Sequence, residues 1–108
     1  STVIKDCEKN VGALEEIRSG IQSKIKNGID FWSVIDRKKK ENILISIKEN
    51  VPKWKTDLNK AEGDLLKSVN NLDRLFDKRL RIHSTDYERI LRQYYKVSND
   101  YREFRKQV

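Results

Sequence analysis

Apolar residues recur at alternating spacings of three and four along most of this chain, and that spacing is the strongest constraint on its fold. Ile4, Cys7, Val11, Leu14, Ile21, Ile25, Trp32 and Ile35 share one register. Ile17 and Ile29 take up the stripe where Arg18 and Gly28 interrupt it. Residues so spaced line one face of a helix. The spacing predicts a helix from about Thr2 to Ile35, about 50 Å long at about 1.5 Å per residue. Gly12, Gly20 and Gly28 each cost such a helix about 1 kcal/mol relative to alanine. Gly28, after Asn27 and before bulky Phe31 and Trp32, is the expected kink.

Further along, the basic run Arg37 to Lys40 precedes Ile43, Leu44, Ile45 and Ile47. Their spacing fits neither a clean helix nor a clean alternating strand, and a short helix ending near Asn50 is the reading preferred to an ordered loop. Pro52 is excluded from a normal helix interior and suits the first turn of a new helix. That next helix carries Val51, Trp54, Leu58, Ala61, Leu65, Leu72, Leu75 and Phe76, with a register slip near Ser68 and Val69. It should end near His83. Thr85 and Glu88 have capping-box spacing, so a last helix should run from Asp86 to the end on Tyr87, Ile90, Tyr94, Val97, Tyr101, Phe104 and Val108.

Single apolar stripes do not make stable isolated helices. Packing them together predicts an all-α fold: an elongated, antiparallel three-helix bundle of long coiled-coil-like helices plus one short helix. The helices should cover about 2–35, 38–49, 52–82 and 86–108, as one domain or fragment over 1–108. The alternative is a coiled-coil hairpin completed by another chain, an assembly element that oligomerises through its stripes. Four glycines and one proline argue against a loop-rich or all-β domain. A single cysteine excludes an internal disulfide framework. The chain begins at Ser1 and lacks methionine, which reads as an excised fragment. With no apolar signal or spanning run, the expected location is cytoplasmic, at membrane surfaces in one of the readings below.

Charge is the most asymmetric feature. Residues 1–36 are slightly acidic, whereas residues 37–60 hold eight basic and three acidic side chains, most of the net +7. Arg37, Lys38, Lys39, Lys40, Lys48, Lys53 and Lys55 form a candidate surface for an anionic partner. On an anionic membrane each could contribute about 1 kcal/mol, with Trp54 and the Ile43–Ile47 cluster as apolar anchors. Nucleic acid is disfavoured, because the tyrosines follow the core stripe and are not interleaved with the cations. Tyr87, Tyr94, Tyr95, Tyr101 and Phe104 form a candidate groove for a peptide or helix, although core packing explains their spacing more simply.

Nothing in the sequence points to catalysis, a metal or a cofactor, and a small-molecule substrate is disfavoured. Cys7 sits on the apolar stripe as a buried residue. His83, alone in an expected turn, reads as a helix-end residue. Asp73 and Asp77 share a helix face, which is common on solvated helices.

The segment Ile21-Gln22-Ser23-Lys24-Ile25-Lys26-Asn27-Gly28-Ile29-Asp30-Phe31-Trp32 resembles part of the V-shaped helical domain of ALIX-type endosomal-sorting scaffolds. There, an apolar helix runs into a lysine, a polar residue, a glycine, two variable positions and an aromatic pair. Here those positions are Ile25 to Trp32. The resemblance covers twelve of the 108 residues and carries over no binding residue. It implies an arm of long helices that binds short peptide motifs or ubiquitin. The expected function is therefore a non-catalytic helical scaffold that binds a protein partner in membrane trafficking or endosomal sorting. The alternatives are a peripheral membrane module using the basic face and an assembly element completed by another chain.

Overall fold

A computed structural model describes residues 2–78 and 82–107. Three helices follow one another: α1 (Thr2–Asp30), α2 (Arg37–Asp77) and α3 (Ser84–Gln107), with a single 3-10 turn at Trp32–Val34 between the first two. The molecule is a rod of 61 × 21 × 21 Å. Helix α2 has 41 residues, which at about 1.5 Å each span the whole rod.

Heptad spacing accounts for how α1 meets α2. Cys7, Leu14 and Ile21 are buried at successive seven-residue intervals, and Gly28, the next in the series, brings the backbone of α1 against Ile43. The Cys7 thiol donates to the Ser68 carbonyl at 3.3 Å, and Asn10 Nδ2 to the Asp64 carbonyl at 3.3 Å. Numbers fall on α2 as they rise on α1, so the pair is antiparallel. On α2, Trp54, Leu58, Ala61, Leu65, Val69 and Leu72 complete the buried stripe. The register slip is real: Ser68 and Val69 are both buried, and the Ser68 hydroxyl returns to the Leu65 carbonyl at 2.8 Å.

Helix α3 runs antiparallel to α2 and parallel to α1. Ile90, Val97, Tyr101 and Phe104 are buried along it. The Tyr87 hydroxyl donates to Asp73 at 2.6 Å and the Tyr101 hydroxyl to Asn59 at 2.8 Å. Half-buried Tyr87 and buried Tyr101 thereby each keep a partner for the polar tip. Arg89 bridges to Glu8 on α1 at 3.1 Å. Within α1, Arg18, only 12% exposed, is held by Glu15 and Gln22. This explains why Arg18 interrupts the apolar register without breaking the helix. Leu14, Leu65, Leu72 and Ile90 are fully buried, each stabilising the fold by about 1.5–3 kcal/mol.

The structure corrects several expected boundaries. Helix α1 ends at Asp30, not Ile35, and Gly28 lies within it as a point of close approach. The expected short helix and the long helix after it are one, because Pro52 lies inside α2. Proline deprives the Lys48 carbonyl of its N–H donor, but Lys48 and Pro52 are both exposed, so water can satisfy that oxygen. Around this point Asn50 Nδ2 donates to the Ser46 carbonyl at 2.7 Å and the Thr56 hydroxyl to the Pro52 carbonyl at 3.0 Å. Helix α2 ends at Asp77, short of His83; residues 79–81 lie outside the described residues. Helix α3 starts at Ser84, so Thr85 sits within its first turn and is not the N-cap. Val108, expected to end its stripe, is also outside the described residues.

Candidate partner-binding surface

Unequal helix lengths create the most distinctive surface. Phe104 and Gln107, at the end of α3, lie beside Gln22, Ile25, Lys26 and Ile29 of α1. Phe104 also lies beside Val51 and Trp54 of α2. Helix α2 continues from there back to Arg37, about 20 Å, while α1 ends at Asp30, which borders the same cleft as Gln107. The end of the α1–α2 hairpin is the connection between the two helices, at one pole of the rod.

Two apolar features occupy this hairpin. The first is a strip along its flank. Ile25 and Ile29 border an open cleft of about 370 Å³ with Phe104 and Gln107. Leu44 lies one heptad before Val51 and two before Leu58, both of which line a cleft of about 350 Å³ against Tyr101 and Phe104. Leu44 therefore lies on the side of α2 that seats α3 further along. Ile29 and Leu44 are each more than half exposed.

The second feature is the tip. Phe31 is 66% exposed and Val34 78%. Beside them the first turn of α2 carries Arg37, Lys38, Lys39 and Lys40. Asp36 caps this helix, its Oδ1 accepting from the Lys39 backbone N–H at 2.8 Å. Arg37, almost fully exposed, pairs with Glu41 at 3.3 Å. The Lys40 ammonium sits 5.5 Å from the centre of the half-buried Trp32 ring. No acidic residue stands in this first turn, so four cations crowd the positive pole of a helix, where each is unfavourable.

The expected sites are rearranged accordingly. The seven cations do not form one face: Arg37 to Lys40 collar the tip, while Lys48, Lys53 and Lys55 lie further along α2, Lys55 against the cleft beside Trp54. Trp54 is a core residue, 9% exposed, and cannot act as a lipid anchor in this fold. Ile43 and Ile47 are half-buried against α1, leaving only Leu44 and Ile45 of that cluster exposed. The tyrosine groove is largely a packed seam. Tyr101 and Phe104 are buried, Tyr87 stacks on Phe76 with ring centres 4.0 Å apart, and Tyr94 is half-buried. Tyr95 is exposed, and Arg105 lies over the Tyr101 ring at 5.4 Å. Ile29, Phe31 and Val34 had no place in the sequence-based sites. Their signal was the aromatic pair just before the basic run.

Titration adds little to this surface. Burial pushes the Cys7 thiol up from its ordinary value, which disfavours the reactive thiolate. The hydrogen bond to Asp73, with burial second, raises the Tyr87 phenol to about 12.

The chain matches no protein-family model, no curated protein and no solved structure at a significant level. Among the described residues no helix is long and apolar enough to cross a membrane.

Proposed function

We propose that this chain is a non-catalytic helical scaffold that binds a helix of a protein partner along the apolar strip of its α1–α2 hairpin. The observation that carries this reading is the strip of Ile25, Ile29 and Leu44, in which Ile25 and Ile29 share a cleft with Phe104 and Gln107 and Ile29 and Leu44 are each more than half exposed. An added helix would meet two walls already set apart by the α1–α2 contact, the helix-in-groove mode of recognition. Lys26 and Asp30 both border the strip, which selects a partner helix of complementary charge at those positions. The similarity of residues 21–32 to the V-shaped domain supports membrane trafficking in the cytoplasm as the setting.

Burying the exposed halves of Ile29 and Leu44 is worth about 1 kcal/mol each. A glutamate there would add a desolvation penalty of about 1–3 kcal/mol. The test places a photo-crosslinking residue at 29, 44 or, as a control on the three-helix section, 66. Partners captured at 29 and 44 but not at 66 are then purified. Their affinity should fall at least about ten-fold with Ile29→Glu or Leu44→Glu and stay unchanged with Leu66→Glu. Equal capture at all three positions, or affinities indifferent to Ile29→Glu and Leu44→Glu, would overturn the reading.

A further inference from the structure

We infer that the tip of the α1–α2 hairpin is a docking site for an anionic lipid surface, with Phe31 and Val34 entering the headgroup layer and Arg37 to Lys40 binding the phosphates around them. This does not depend on the protein-binding strip, which lies on the flank of the hairpin and not at its pole.

Three observations carry the inference. Phe31 and Val34, 66% and 78% exposed, are the two most exposed large apolar side chains described, and they sit three residues apart at the pole of a 61 Å rod. A rod's end offers no two-walled groove to a partner helix, whereas it meets a planar interface head-on.

The charge beside them is mixed, with Arg37 to Lys40 set against Asp30, Asp36 and Glu41. Asp36 caps α2 and Glu41 pairs with Arg37, while Lys38 and Lys39 form no ion pair among the described residues. Lys38 and Lys39 are exposed, and none of the four cations contributes to the buried core. At the positive pole of α2, Lys38 and Lys39 oppose the helix dipole with no ion pair among the described residues to offset it. An anionic surface removes that repulsion.

Aromatic and apolar residues beside a cluster of four Lys and Arg constitute the combination that binds an anionic leaflet, insertion and attraction adding. Trp32, between Phe31 and Val34 and under Lys40, would sit at headgroup level.

The test is sedimentation with phosphatidylcholine vesicles, with and without phosphatidylserine, using the intact chain. Wild type should bind only the serine-containing vesicles and release as salt rises. Lys38→Glu/Lys39→Glu/Lys40→Glu should lower the partition coefficient by at least about a hundred-fold, at roughly five-fold per cation. The same charge change at Lys53→Glu/Lys55→Glu/Lys60→Glu, on the three-helix section, should cost far less. Phe31→Ser/Val34→Ser should lower it by about ten-fold or more. Apart from half-buried Lys40, both tip variants alter exposed residues, and far-ultraviolet circular dichroism checks that they remain folded.

No binding to either vesicle, equal losses from the two charge-reversal triples, or indifference to Phe31→Ser/Val34→Ser would each overturn the inference. So would soluble polyglutamate binding that requires Phe31 and Val34, since that would make the tip a site for acidic protein. Crosslinking at 29 and 44 is unaffected by any of these outcomes, which keeps the two proposals separable.

Discussion

Four glycines lie inside helices, and a single substitution type at each separates helix propensity from packing. A glycine in a helix interior costs about 1 kcal/mol relative to alanine. Gly12 and Gly20 face solvent, and a Cβ at either would meet nothing within 4 Å. Gly12→Ala and Gly20→Ala should therefore each stabilise the protein by about 1 kcal/mol, partly by restricting the unfolded chain. They are about 12 Å apart along α1, far enough for their effects to add. Together they should raise the melting temperature by about 8 °C, taking the lower end of the usual 4–8 °C per kcal/mol for small domains. Gly28 is different: a Cβ there would lie 3.1 Å from Ile43 Cγ2. Ile43 is β-branched and has little freedom to turn away. Overpacking costs about 1–3 kcal/mol, so Gly28→Ala should be neutral or destabilising by up to about 2 kcal/mol. Thermal and urea melts followed by circular dichroism, all in one buffer, measure the three variants. If Gly28→Ala stabilised as much as Gly12→Ala, the close approach of α1 and α2 at Gly28 would be refuted.

Two further expectations concern α2 and its contact with α3. Pro52→Ala restores the N–H for the Lys48 carbonyl within a helix that already runs through this point, so it should stabilise by about 1–3 kcal/mol in urea melts; destabilisation would mean that the helix needs the proline there. Tyr87 has its phenol raised to about 12 by Asp73 and burial, so the folded state holds this proton more tightly than the unfolded state, whose phenol titrates near its ordinary value of 10. The resulting stability is fully present below pH 10 and is lost as pH rises through about 12. Phenolate absorbance should show one late-titrating tyrosine, and Asp73→Asn should return it towards its ordinary value.

The helical class and much of the core were legible from spacing alone. Cys7, Leu14 and Ile21, then Leu58, Leu65 and Leu72, then Ile90, Val97 and Phe104 are buried at seven-residue intervals. Apolar burial dominates folding, and in a helix it has a fixed period. The elongated shape followed from stripes too narrow to wrap a globular core. Helix ends were less legible. Pro52 suggests a break from local chemistry, but packing against α1 on both sides of it, through Ile43 and Ile47 before and Trp54 and Leu58 after, outweighs one lost hydrogen bond. Trp54 read as a surface anchor because cations flank it in sequence. On a helix, though, Lys53 and Lys55 point about 100° to either side, which leaves Trp54 free to face the core.

The surfaces proposed to act were only partly legible: Arg37 to Lys40 and the Ile43–Ile47 cluster stood out in sequence, but Ile29, Phe31 and Val34 did not. Leu44 and Leu58 have the same character and fall on the same heptad line, yet Leu58 is buried and Leu44 is more than half exposed. A stripe says which side of a helix is apolar. Whether anything covers that side depends on the lengths and offsets of the other helices. Here α3 covers Leu58 with Tyr101 and Phe104, and no described residue of α3 lines the surface around Leu44.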